Sequence, residues 1–319
     1  MNRHRTAISV LLATGALLAG ALTAASPSAA VPRPASQGSW SAERMRAATP
    51  LDITATPGAT ARTAPTTAER PTTIAPTPAS SSPTASLKAS PAAFPQPGGA
   101  WTSGGAVVKT SGRVFFTFNG KSASCSGDSI TSANGSTVIT AGHCVKYQGA
   151  WHTDWIFVPG YDNGNAPYGQ WTATKTFATD QWVASEDMNM DVGLAVVAPL
   201  NGRTLSQTVG AQGIVFNGGY NKKMYAFGFP AAAPYDGTKL VYCSGNTGKD
   251  FLLTKDHSLP CNMTGGSSGG PWFQDFNEAT GLGTQVSVNS FGYTFLPNRM
   301  YGPYFGNEAK AAYDKAQTA

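Results

Sequence analysis

From residue 101 onward, apolar residues fall in short runs separated by glycine-rich turns. Examples are residues 112–120 (GRVFFTFNG), 136–140 (STVIT), 191–197 (DVGLAVV), 223–228 (KMYAFG) and 285–292 (QVSVNSFG). Runs of this length, rich in β-branched and aromatic residues, predict strands, and their number predicts an all-β sandwich or barrel. One stretch has helical period, residues 306–315 (GNEAKAAYDK). Ala309, Ala312 and Tyr313 share one of its faces, and Asn307 is the expected N-cap. No internal repeat of fixed period is present.

The first hundred residues read differently. Residues 1–30 run from a basic start, Met1 to Arg5, through an apolar stretch, Ala7 to Leu22, to the small residues Ser28, Ala29 and Ala30. This is the layout of a secretory signal peptide cleaved after Ala30; the alternative is an N-terminal membrane anchor. In residues 31–100, Pro, Ser, Thr and Ala fill 47 of 70 positions, and Trp40 and Phe94 are the only aromatic residues. Such a chain cannot bury enough apolar surface to offset its ordering entropy, which predicts disorder. A short helical turn can follow Trp40, and Pro50 stops it. The region reads as a removable pro-segment or, alternatively, as a permanent flexible linker. Residues 101–319 are then the folded domain.

Charge agrees with this division. Of 22 Lys and Arg and 17 Asp and Glu, residues 1–100 hold 8 and 3, so the remainder carries 14 of each sign. A neutral domain argues against a nucleic-acid partner. Beyond residue 30 no apolar run is long enough to span a membrane. Thirty-one of the 33 aromatic residues lie in 101–319, which places the core there.

Four cysteines, Cys125, Cys144, Cys243 and Cys261, allow three pairings. Sequence-local pairing gives Cys125–Cys144 and Cys243–Cys261, as export permits. No C-x-x-C or H-x3-H spacing suggests a metal, and no cofactor motif is evident. Among the histidines, His143 stands out. It ends an apolar β-run, residues 138–144 (VITAGHC), beside a cysteine. Ser268 lies in residues 264–272 (TGGSSGGPW), where glycines allow a sharp turn and the following Pro-Trp returns to a buried strand. A serine hydroxyl needs a base, and the base needs an acid to orient it. Asp191, entering the run 192–197 from a loop, is the preferred acid; Asp187 and Glu186 are rivals.

Residues 140–144 (TAGHC), 191–195 (DVGLA) and 266–271 (GSSGGP), in the order His, Asp, Ser, resemble the chymotrypsin-like serine endopeptidases. Residues 158–161 (VPGY), 167–169 (PYG) and 226–230 (AFGFP) resemble the secreted bacterial branch around the glutamyl endopeptidases. The resemblance covers about residues 105–305. It implies two six-stranded antiparallel β-barrels, with His143 as general base, Asp191 as its orienter and Ser268 as nucleophile in the cleft between them. It also implies the backbone N–H groups of Gly266 and Ser268 as the oxyanion hole, and Cys125–Cys144 as the bridge beside the base.

Two departures stand out. The acid that precedes the nucleophile in trypsin-like enzymes is here Ser267, so activation through a freed N-terminal amine cannot operate. The specificity pocket, by spacing from Ser268, is expected to be lined by Asn262, Met263, Thr264, Asn289, Ser290 and Gly292. None is charged, and Asn289 stands where glutamyl endopeptidases carry a histidine. Cleavage after medium-sized uncharged residues is the expectation. The chain therefore reads as a secreted, monomeric endopeptidase acting on polypeptides, with no cofactor, nucleic acid or membrane partner once the signal is removed. The alternatives are a catalytically silent binding module and a secreted esterase.

Overall fold

In the computed structural model, residues 40–55, 62–80 and 92–319 are described. The expected signal peptide, residues 1–30, lies outside them. Among the described residues, no helix is long and apolar enough to cross a membrane.

Six antiparallel strands form the first half: Ser111–Phe118, Lys121–Ile130, Thr137–Thr140, Thr153–Pro159, Trp171–Ala178 and Gly193–Val197. Each pairs with two others, and Lys121–Ile130 pairs with both Ser111–Phe118 and Thr137–Thr140. The sheet thus closes into a barrel, which removes its exposed edges. Val114, Phe116, Val138, Phe157, Leu194 and Val196 fill its interior. Cys125–Cys144 ties one of its strands to the turn after another.

The second half carries its strands on two sheets. One runs in the order Gly213–Phe216, Leu282–Val288, Pro271–Asn277, Lys223–Gly228, Val241–Asn246. The other runs Gly248–Lys249, His257–Pro260, Leu296–Gly302, Phe291–Tyr293. Cys243–Cys261 joins a strand of the first to the end of a strand of the second. The C-terminal helix spans Asn307–Gln317 and buries Ala309, Ala312, Tyr313 and Ala316. Its N-cap is Gly306 rather than Asn307. Asn307 is already helical, and its amide reaches Asn217 and Thr66 instead.

The expected disorder of residues 31–100 does not hold for the parts described. Ser41 caps a helix, Ala42–Ala47. Trp40 is buried against Phe115 and donates to the Asp154 carbonyl. Four short strands follow. Thr49–Pro50 joins Lys121–Ile130, Ile53–Ala55 joins Phe291–Tyr293, Thr72–Ile74 joins Gly213–Phe216, and Gln96–Ala100 joins Val241–Asn246. A chain of this composition cannot order by burying its own surface alone. This segment instead orders on surfaces that the remainder supplies, and its backbone groups are satisfied by strand edges already in place.

Candidate active site

His143 sits in a 3-10 turn, Gly142–Cys144, just after the strand Thr137–Thr140. Asp191 just precedes the strand Gly193–Val197, which pairs antiparallel with that strand, Gly193 opposite Thr140. Adjacent strand ends thus bring base and acid together. Asp191 Oδ2 lies 2.8 Å from His143 Nδ1, and Asp191 Oδ1 accepts the His143 backbone N–H at 2.7 Å. A carboxylate only accepts, so Nδ1 carries the proton and Nε2 presents its lone pair. Ser290 Oγ donates to Asp191 Oδ2 at 2.5 Å. Gly142 is required here, because a Cβ would fall 2.9 Å from Asp191 Oδ1 and 2.7 Å from the Trp182 ring.

Ser268 comes from the second half. The Ser126 N–H donates to its carbonyl at 2.7 Å, and Ser126 Oγ donates to Gly266 O at 2.9 Å, so one residue holds the serine turn against the barrel. Gly269, at φ +82°, leaves no space for a side chain: a Cβ would lie 2.0 Å from Thr140 Oγ1 and 2.4 Å from Ser126 O. The Ser267 hydroxyl donates to Thr264 O at 2.8 Å, and its carbonyl accepts from Asn289 at 3.0 Å. Neutral hydrogen bonds therefore shape this turn where an acid would otherwise need a cation. His143 Nε2 is buried with no hydrogen-bond partner among the described residues, so its link to Ser268 Oγ is not closed. A base oriented in this way beside a serine turn can take a hydroxyl proton and stabilise the resulting imidazolium.

The cleft is filled. Leu51 N–H donates to Ser124 O at 2.9 Å, and the Gly266 N–H donates to Leu51 O at 3.3 Å. Asp52 packs over Gly265, where an added Cβ would lie 3.0 Å from its own. Burial raises the Asp52 carboxyl above its ordinary pKa, and His143 partly offsets the rise. Further along, buried Asp187 accepts the backbone N–H groups of Arg62 and Thr63 at 3.1 and 2.7 Å. The rival acid thus holds the N-terminal segment and does not approach His143 as Asp191 does. Glu186 pairs with Lys146 at 3.6 Å.

The expected pocket residues divide. Asn262 accepts from the Tyr235 hydroxyl at 2.6 Å, and its N–H donates to Pro97 O. Thr264 Oγ1 donates to Ala232 O. Met263 is buried. Gly292 pairs with Thr54. The Asn289 amide is fully engaged: it donates to Phe227 O and Ser267 O and accepts from Trp272 Nε1 at 2.6 Å. It has no donor left for a substrate. The Ser290 side chain is turned to Asp191. Ser126 and Asp52 carried no sequence signal, because isolated serines and aspartates are common on surfaces.

The other two described histidines, His152 and His257, are buried. His152 stacks on Phe116 and its Nε2 lies 2.8 Å from His143 O; burial lowers its pKa to about 4. Burial takes His257 down to about 3. Cys125, His143 and Cys144 are close enough to share a metal, but both sulfurs are in the disulfide and offer no thiolate.

No protein-family model matches the chain. Among solved structures, protease Anisep from Arthrobacter nicotinovorans is 44% identical at TM-score 0.63, covering 67% of this chain and 98% of that one. The thermostable serine protease AL20, from an extremophilic microorganism, is 41% identical at the same TM-score, covering 67% and 99%. The chain belongs to the bacterial chymotrypsin-like serine proteases. A Glu endopeptidase shares the fold at 16% identity and TM-score 0.56. A 61-residue stretch is 38% identical to an extracellular metalloprotease of Bacillus subtilis (strain 168), spanning 20% of that protein. About a third of this protease therefore has no counterpart in Anisep or AL20, whose whole lengths it nearly covers.

Proposed function

We propose that the chain is the precursor of a secreted serine endopeptidase, with residues 1–30 as signal peptide, 31–100 as a removable pro-segment and 101–319 as the mature domain. Ser268 Oγ attacks the substrate carbonyl as His143 Nε2 takes its proton. Asp191 keeps the imidazole in the acting tautomer, and the N–H groups of Gly266 and Ser268 hold the oxyanion. Water then releases the acyl group by the same route. An extended substrate pairs with the strand that begins at Phe291, its acyl-side residue in the pocket formed by Asn262, Met263, Thr264 and Gly292.

One observation carries the reading. A single carboxylate, Asp191, accepts both the backbone N–H and Nδ1–H of His143, in a protein that matches proteases over nearly their whole length. The disulfides and the N-terminal layout support export. Because the serine turn is held by neutral bonds, activation consists of clearing the cleft, with no new ion pair to form. The test is to secrete the precursor, find its mature N-terminus by mass analysis, and treat the mature form with a fluorophosphonate. Labelling on Ser268 together with casein hydrolysis is expected, with the N-terminus between about residues 80 and 107. A mature chain beginning at Val31, or an unlabelled Ser268, refutes the respective part.

A further inference from the structure

The direction of the segment in the cleft carries more than its presence. Residues 49–50 run parallel to 123–124, and residues 53–55 run parallel to 291–293. Between them, Leu51 O takes the N–H of Gly266. The segment thus enters beside Ser124, crosses the serine turn and leaves along Phe291–Tyr293.

Productive substrates must travel the other way, a statement that rests on the function proposed above. Their acyl side lies along the strand from Phe291, and Ser290, just before it, touches Asp191 at the centre. A chain whose acyl residues approach the centre along that strand runs antiparallel to it. The leaving side then lies toward Ser124. The Cys125–Cys144 bridge anchors His143 on that same side. With the carbonyl in the same oxyanion site and the same attacking oxygen, reversing the chain exchanges the other two substituents of the carbonyl carbon. The nitrogen of Asp52 then faces the acyl-side strand, and the Cα of Leu51 faces the proton donor. Breaking the Leu51–Asp52 bond would require protonating a nitrogen on the wrong side.

We propose that residues 49–55 are a reverse-threaded inhibitor of the protease cleft, held by backbone pairing on both sides of the serine turn and resistant to the enzyme that they cover. The anchor lies upstream. Trp40 and Met45 are buried, and Arg44 pairs with Asp154 at 2.7 Å, so the strand is delivered by a short helix docked on the barrel. The pro-segment is therefore cut elsewhere during maturation, outside residues 49–55.

The probe is a synthetic peptide of residues 40–55, added to the mature protease with a chromogenic substrate. The expected result is competitive inhibition, with KM rising with peptide concentration and kcat unchanged, while mass spectrometry finds the peptide intact. A second peptide, with residues 49–55 in reversed order behind the same residues 40–48, is expected to lose the inhibition or to be cut. Cleavage of the natural peptide within 49–55, or no effect on KM, overturns the proposal. So does a precursor that reacts with fluorophosphonate as fast as the mature enzyme. If the mature enzyme itself neither labels nor hydrolyses casein, the catalytic reading fails instead, which separates the two.

Discussion

Installing the acid of trypsin-like enzymes before Ser268, the proposed nucleophile, as Ser267→Asp tests how this protease holds its serine turn. Ser267 is almost fully buried, and its hydroxyl donates to Thr264 O at 2.8 Å. The partners around the turn, Ser126 Oγ, the Asn289 amide and the Thr264 carbonyl, carry no positive charge. Ser267→Ala removes one neutral bond, about 0.5–1.5 kcal/mol, while the Ser267 N–H still reaches Thr264 O at 3.2 Å. Ser267→Asp removes the same bond, turns a carboxylate oxygen toward a carbonyl oxygen, and buries a charge without a partner. An uncompensated buried charge costs about 3–5 kcal/mol, a large part of the roughly 5–15 kcal/mol that holds a typical domain folded. If the turn yields instead, the Gly266 N–H, the proposed oxyanion donor, leaves its position, and losing one such donor lowers kcat by about 10²–10³. Guanidinium unfolding of the Ser268→Ala precursor, with and without each Ser267 change, measures the stability. Turnover of the mature single variants measures the alignment. An Asp variant at least as stable as the Ala variant, with full activity, would refute the account, because it would mean that a cation reaches the turn.

Ser268→Ala and His143→Ala are each expected to abolish hydrolysis by a comparable factor with the fold retained, since the proposed nucleophile and base act as a unit; peptidase assays and circular dichroism check this. Cys125→Ser opens a bridge across a separation of 19 residues and is expected to lower stability by about 2–5 kcal/mol in denaturant unfolding. Burial pushes the Asp128 carboxyl up to about 8, its Oδ1 accepting from Ser111 and its Oδ2 without a hydrogen-bond partner among the described residues. The folded state holds that proton more tightly than the unfolded chain, so the stability it contributes is complete at low pH and is lost as pH rises through about 8. Asp128→Asn, which keeps the neutral form, is expected to gain on the wild type from pH 5 to about pH 8 and to level off above it in thermal unfolding; a constant difference across about pH 5 to 8 refutes this. In chromogenic substrates differing only before the scissile bond, Leu and Phe are expected to outperform Glu and Arg, because Asn289 has no free donor and Asn262 offers no charge. A hundredfold preference for Glu or Arg would overturn that reading.

Local pattern determined much of this protein. The strand runs of residues 101–319, the C-terminal helix and the sequence-local cysteine pairs all follow from short-range rules, because side-chain period, turn glycines and loop length act over a few residues. The motifs around His143, Asp191 and Ser268 were legible for the same reason: a base after a β-run and a serine among glycines are local arrangements with few other uses. What lay beyond the sequence was every contact made at a distance. The Ser290 hydroxyl donates to Asp191, and the Asn289 amide ties Phe227 and Ser267 to Trp272. Asp187 reads as a rival acid, yet it grips Arg62 and Thr63. The largest difference concerns residues 40–55. Composition shows whether a segment can fold alone, and this one cannot. Only the assembled fold provides the strand edges and the Phe115 ring that order it, and only the tertiary structure sets the direction in which it crosses the serine turn.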